Sequence, residues 1–222
     1  MKNILVVAPH PDDEVLGCGG VIRKHVNVGD TVYVLVVTRG NPKFYSDEKI
    51  ENVRSEARSA HQFLGVKETG FLDFLAPNLD TTSQAELSQS IVSYIKEKQI
   101  NTLYLPHRGD IHHDHRAVFN AGLVAARPVN NNTVTRIYAY ETLSETEWAA
   151  PFGDDVFIPT HFVNVESEFE AKIKAMSFFK SQVRQFPSTR SLETIEALAK
   201  FRGATVGFKR AEAFMTIRTI EG

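Results

Sequence analysis

Cysteine occurs only once among the 222 residues, at Cys18, so the chain can form no internal disulfide and must rely on a packed core. It also lacks any apolar run near the roughly 20 residues that cross a bilayer, and its first strand pattern follows Met1-Lys2-Asn3 too closely for a secretory leader. Both absences lead to the expectation of a cytoplasmic protein without a transmembrane segment. No basic excess is present: 25 Lys and Arg stand against 27 Asp and Glu, a net charge of -2, which excludes the electrostatic footprint of a nucleic-acid binder and suits a small-molecule partner. There are no internal repeats and no low-complexity tract. The dinucleotide fingerprint is missing too. Gly17-Cys18-Gly19-Gly20 fails G-x-G-x-x-G and follows three acids that would repel a pyrophosphate, which weakens the alternative of a non-catalytic nucleotide- or sugar-binding module. These glycines read instead as close packing of a helix on a sheet, and Cys18 as a small buried residue.

What is present is ample material for a core, 42% hydrophobic, in an alternating order of strand and helix patterns. Residues 4–8 (ILVVA) form a short β-branched run without polar alternation, the mark of a strand buried on both faces. Apolar spacing then predicts a helix over 15–26, a strand over 30–38, and a helix over 47–65 that Gly65 closes. A weaker strand at 68–74, a helix at 83–99, a strand at 101–106, a helix at 114–126 and a strand at 136–140 complete the series. Such alternation implies right-handed crossovers and a three-layer, Rossmann-like α/β/α fold whose mainly parallel sheet has the order 3-2-1-4-5. Beyond residue 143 we expect a loop around 151–155, a strand at 161–165, helices at 168–183 and 191–201, and a last strand at 210–219. No linker composition separates this part, so residues 1–222 read as one domain: a core over 1–142, and 143–222 packed on the sheet.

Metal-ligand residue types begin where the first strand ends, in Ala8-Pro9-His10-Pro11-Asp12-Asp13-Glu14. Pro11 keeps His10 out of the helical region and can itself open the helix, so imidazole and carboxylates share a tight bend. Adjacent side chains diverge, leaving Asp13 free to join His10 on a metal while Asp12 stays unligated as a base. Capping of the helix by Asp12 and Asp13 is the competing reading. A second cluster follows the fourth strand, His107-Arg108-Gly109-Asp110-Ile111-His112-His113-Asp114-His115, with four of the eight histidines in nine positions. In a sheet of order 3-2-1-4-5 the first and fourth strands are neighbours where the winding reverses, and ligands bind at their carboxyl ends. The two clusters therefore converge. His112 and His115 can face one crevice, and Asp114 can fix a tautomer. Two histidines and a carboxylate suit zinc with an open position for water. A non-haem Fe(II) oxygenase triad matches the local spacings His10-x-Asp12 and His112-x-Asp114, but the strand and helix alternation ranks it lower.

These two stretches together resemble the LmbE-like (PIG-L) zinc de-N-acetylase superfamily. The likeness continues through Arg54-Ser55-Glu56-Ala57, Leu64-Gly65-Val66, Lys172, Ala175, Phe179, Ser181-Gln182, Arg202-Gly203, Gly207 and Glu212-Ala213-Phe214. Pro9 stands where the family more usually has alanine, and Arg210 where it often has an aromatic. The resemblance implies a Rossmann-like, Zn2+-dependent hydrolase that removes acetyl from an N-acetylglucosamine-type conjugate, small or carrier-linked. By the same resemblance His10, Asp13 and His115 would bind zinc, Asp12 would be the base, and His112, oriented by Asp114, would stabilise the oxyanion. An Asp114 pairing would raise the His112 pKa and keep the ring protonated near neutrality. Arg54 resembles a family position near the pocket that holds a substrate group or the oxyanion, its competing reading being an ion pair with Glu51. Glu14 and Glu141 would be supporting residues. A homo-oligomer is compatible with the sequence.

Overall fold

The computed structural model describes residues 1–221. Among them, β1 (Asn3–Ala8), α1 (Asp13–Asn27), β2 (Thr31–Gly40), α2 (Asp47–Leu64), β3 (Glu68–Ala76), α3 (Gln84–Lys98), β4 (Thr102–Pro106), α4 (His113–Ala125) and β5 (Arg136–Tyr140) follow the expected alternation. The remainder supplies β6 (His161–Asn164), α5 (Phe169–Met176), α6 (Leu192–Ala204) and β7 (Ala211–Thr219). One seven-stranded sheet results, in the order β3-β2-β1-β4-β5-β7-β6. Strands β1 to β5 pair in parallel, and β7 and β6 extend the β5 edge antiparallel. The order 3-2-1-4-5 is thus realised, and the last third of the chain adds its strands to that same sheet.

The unalternated sequence of β1 has a direct structural counterpart. Ile4, Val6 and Ala8 join the apolar cluster that packs under α1, α2 and α5, whereas Leu5 and Val7 join the cluster under α3 and α4. All five are fully buried, and each large aliphatic among them contributes roughly 1.5–3 kcal/mol relative to exposure. Helices on both faces of a mainly parallel sheet make the three layers. Gly65 closes α2 as expected, at φ 87, a left-handed value that costs glycine nothing.

Helix α1 lies very close to the sheet. A Cβ at Gly17 would collide with the Tyr140 ring, and one at Gly20 with Val165, so the glycine run serves packing as its sequence context implied. A buried ion pair locks the seat. Lys172 Nζ donates to the Leu16 carbonyl (2.7 Å) and to Glu212 Oε1 (2.6 Å), while Glu212 accepts the N–H groups of Gly20 (2.9 Å) and Val21 (2.7 Å). The pair ties α1 to α5 and β7, and so fixes the turn at the N-terminus of α1.

Two expectations need correction. The helix predicted over 168–183 ends at Met176, because the Ser177 hydroxyl donates to the Lys174 carbonyl and the chain passes into successive turns that bury Phe179. Helix α1 starts at Asp13, so Pro11 sits in the preceding turn and does not open the helix.

Candidate active site

The turn after β1 is fixed from several sides. The Pro9 carbonyl accepts both the N–H (3.1 Å) and the hydroxyl (2.7 Å) of Thr38 on β2, which ties the turn to the neighbouring strand. Asp12 adopts φ 110, ψ -26, in the left-handed region, and its N–H donates to Glu14 Oε2 at 3.2 Å. Glu14 Oε1 lies 2.7 Å from His61 Nε2, and His61 Nδ1 lies 2.9 Å from the Thr69 hydroxyl, so Glu14 supports the turn from beneath. The capping reading of the two acids fails here. Asp12 makes no side-chain cap bond, and Asp13 Oδ2 instead accepts the His10 N–H at 2.8 Å.

The four clustered histidines separate into different tasks. His113 is exposed, and His107 donates from Nε2 to the Asp155 carbonyl at 2.9 Å, anchoring the 153–157 loop. His112 and His115 face His10, with ring centroids 4.5 and 5.4 Å from it. His115 Nδ1 bonds Asp110 Oδ2 at 2.8 Å, and His10 Nε2 bonds Asp114 Oδ2 at 3.0 Å. A carboxylate behind each ring assigns that nitrogen the proton and leaves the other as a lone-pair donor. The two freed nitrogens, His10 Nδ1 and His115 Nε2, each lie 3.2 Å from Asp13 Oδ2. Asp110 was not singled out from the sequence, although its place five residues before His115 was in view; its own Oδ1 accepts the Thr146 hydroxyl at 2.6 Å.

Two three-residue sets could hold a metal ion, with ligand atoms all within 4.8 Å of one another: His10, Asp13, His115 and His10, His112, Asp114. The first fits better. Asp13 Oδ1 and His115 Nε2 are buried without a hydrogen-bond partner, a costly state for polar atoms that a cation between them relieves. In the second set Asp114 is already bonded to His10 and to the Leu79 N–H, and His112 Nδ1 accepts the Asp114 N–H at 3.1 Å. Protonation follows the same electrostatics. Burial opposes charge on His10, but the bonds to Asp114 and Asp13 prevail and raise its pKa to about 9. Burial likewise opposes charge on Asp13, yet His115 and His10 hold its carboxyl well below the usual range. The pocket requires positive charge, from protons or from a metal.

The expected pairing of His112 with Asp114 is replaced by another arrangement. The carboxylate is 4.0 Å from His112 Nδ1, and orientation comes from the Asp114 backbone N–H. Burial, reinforced by His10, lowers the His112 pKa to about 4 against the pull of Asp114, so the ring is neutral with its proton on Nε2. Asp12 Oδ2 meets Arg190 Nη1 at 3.1 Å, and burial pushes the Asp12 carboxyl up to about 8 against that guanidinium. Arg190 was not anticipated, since it lies 178 residues away in sequence and in a loop without a motif. Glu145, with its pKa raised to about 7 by burial, borders the same space. Arg54 is buried on α2, with no bond to Glu51; its Nη2 bonds the Leu72 carbonyl (2.9 Å) and Asp73 (2.8 Å) while its guanidinium covers Phe71. His10, Asp12, His112, Arg54 and Arg190 all border one cavity of about 780 Å³. Arg210 does not touch it, but bonds Glu196 (2.6 Å) and covers Phe169.

The chain is similar to several known proteins. An uncharacterized deacetylase of Escherichia coli (strain K12) is 32% identical over 189 residues, 81% of this chain and 91% of that one. The diacetylchitobiose deacetylase of Thermococcus kodakarensis is 27% identical over 233 residues, covering 100% of this chain and 84% of its own. Among solved structures, a conserved protein of Thermus thermophilus superposes with a TM-score of 0.81 at 23% identity, covering 100% of this chain and 97% of that one. Residues 5–126, which carry both the His10–Asp13 turn and the histidine cluster, match the family described as PIG-L: GlcNAc-PI de-N-acetylase, and the chain belongs to that family of deacetylases.

Proposed function

We propose that this protein is a zinc-dependent hydrolase that removes acetyl from the amide nitrogen of an N-acetylglucosamine-type conjugate. His10, Asp13 and His115 hold the metal. The observation that carries this reading is the pair of buried, unpartnered atoms Asp13 Oδ1 and His115 Nε2, in a set whose two imidazoles are each backed by a carboxylate. Bound zinc supplies a Lewis acid that polarises the amide carbonyl and lowers the pKa of water to about 7.

The remaining chemistry belongs to the side chains. Asp12, which Arg190 and the added charge of a bound cation would hold ionised against its burial, accepts a proton from the attacking water as the carbon–oxygen bond forms. His112, neutral and with its Nε2 proton facing the site, donates a hydrogen bond to the oxygen that gains charge. Collapse breaks the carbon–nitrogen bond, the amine leaves with the proton that Asp12 took up, and acetate remains. Asp114 positions His10 through its carboxylate and His112 through its N–H. Arg54, fixed on Asp73, borders the cavity from α2 and contacts the sugar or its carrier. A chitobiose-like disaccharide fits a space of about 780 Å³, which exceeds the need of one acetamido sugar. The residues form a small-molecule site within one domain.

The test separates ligand from base. Asp12→Asn keeps zinc, measured by metal analysis of the purified chain, and loses roughly 10²–10⁴-fold in acetate release from N-acetylated chito-oligosaccharide. Joint loss of metal and activity would make Asp12 a ligand. Undiminished turnover would remove its role as base.

A further inference from the structure

Two adjacent carboxylates meet one metal site, yet the proposed chemistry needs only Asp13 as ligand and Asp12 free. Both are buried, Asp12 1% and Asp13 0% exposed, but only Asp13 joins His10 and His115 in a set of ligand atoms within 4.8 Å of one another, so the neighbouring Asp12 must be kept out of that set. Backbone geometry sets Asp12 apart, at a left-handed φ of 110 and with no side-chain cap bond to the helix. A rotatable carboxylate still needs a partner to hold it.

We infer that Arg190 is the residue that holds Asp12 off the metal and in its base orientation, a positioning role that rests on the reading given above. Its guanidinium is used on three edges. Nη1 donates to Asp12 Oδ2 (3.1 Å) and to Gln182 Oε1 (3.0 Å), Nε donates to the Ser144 hydroxyl (3.0 Å), and Nη2 lies 3.9 Å from Glu145 Oε1. These anchors come from two separate loops. Ser144 is itself strained, at φ 78, and its hydroxyl also meets the Thr189 hydroxyl at 3.0 Å. The Arg184 N–H bonds the Arg190 carbonyl at 3.2 Å and closes the loop that carries the guanidinium. A planar fork held this way fixes direction as well as charge, which a lysine ammonium on a flexible stem cannot do. The Arg190 side chain is 22% exposed, so its bond to the buried carboxylate is shielded from competing water. The C-terminal portion of the chain thereby completes a catalytic turn that lies entirely in the N-terminal half.

A double-mutant cycle in the zinc-loaded enzyme tests this. Arg190→Gln is expected to retain zinc, to lower kcat on the order of 10- to 100-fold with little change in KM, and to cost nothing further when Asp12 is already Asn. In the cobalt-substituted protein the visible spectrum of Arg190→Gln shifts toward higher coordination as Asp12 swings onto the metal, and guanidinium at non-denaturing concentration partly restores Arg190→Ala. Arg190→Lys serves if the glutamine variant does not fold; it keeps the charge and is expected to show the same kcat loss and spectral shift. An undiminished kcat, a change confined to KM, or an equal loss in the Asp12→Asn background would overturn the inference. Full activity of Asp12→Asn alone would instead sink the base assignment, a separate result.

Discussion

At His112 the imidazole carries no charge of its own in the neutral range. The sequence places Asp114 two residues away and suggests an imidazolium, but burial and His10 dominate and lower the pKa to about 4. The sign follows directly. A group with that pKa is neutral through the neutral range and gains its proton only as pH falls toward 4, so it contributes no basic limb to activity. His112→Gln, whose amide N–H replaces the neutral Nε2–H, is therefore expected to retain more activity than His112→Ala, with the alkaline side of the pH–kcat profile unmoved in both. A basic limb that shifts in either variant would restore the charged reading. Residue types in the two clusters were legible because ligand chemistry uses so few side chains. Their partners were not: sequence adjacency cannot tell that the Asp114 carboxylate bonds His10, 104 positions away, in preference to His112. Arg190 and Asp110 were hidden for the same reason, as contacts made only by the fold.

Among the elements, α1 carries the most consequence, because its N-terminal turn is the site and its body is wedged between the sheet and α5. The Lys172–Glu212 pair that seats it is buried on both sides, with side chains 5% and 3% exposed. Removing one partner leaves the other charge without compensation. Lys172→Met is expected to destabilise the fold by about 3–5 kcal/mol, read as a lower urea midpoint with unchanged slope. A loss of stability below about 1 kcal/mol would mean that the glycine-mediated contact alone fixes the helix. Helix periodicity was readable for α2, α3 and α4, whose apolar faces repeat at three and four. It misled at 177–183, where Phe178, Phe179 and Val183 keep helical spacing but the Ser177 hydroxyl bonds the backbone and the chain turns to bury Phe179.

In the whole molecule, the winding reversal between β1 and β4 brings two sequence-distant clusters together at the carboxyl ends of these central strands. This much followed from strand order alone, since β-branched runs, helix spacing and right-handed crossovers left few other topologies. The antiparallel edge of β7 and β6 was not readable, because pairing direction leaves no mark on the side-chain pattern of a strand. Nor was the reach of the 181–191 loop over the site. No helix among the described residues is long and apolar enough to cross a membrane. In the proposed function, His10, Asp13 and His115 make one metal site on which deacetylation depends. Its most direct measurement is a zinc titration of chelator-treated protein, with bound metal and acetate release from an N-acetylated chito-oligosaccharide followed in the same samples. Acetate release is expected to rise in proportion to zinc and to level at about one per chain, and His115→Ala to take up no tightly bound zinc and to stay inactive. Full zinc uptake by His115→Ala, or acetate release that does not depend on added metal, would contradict it.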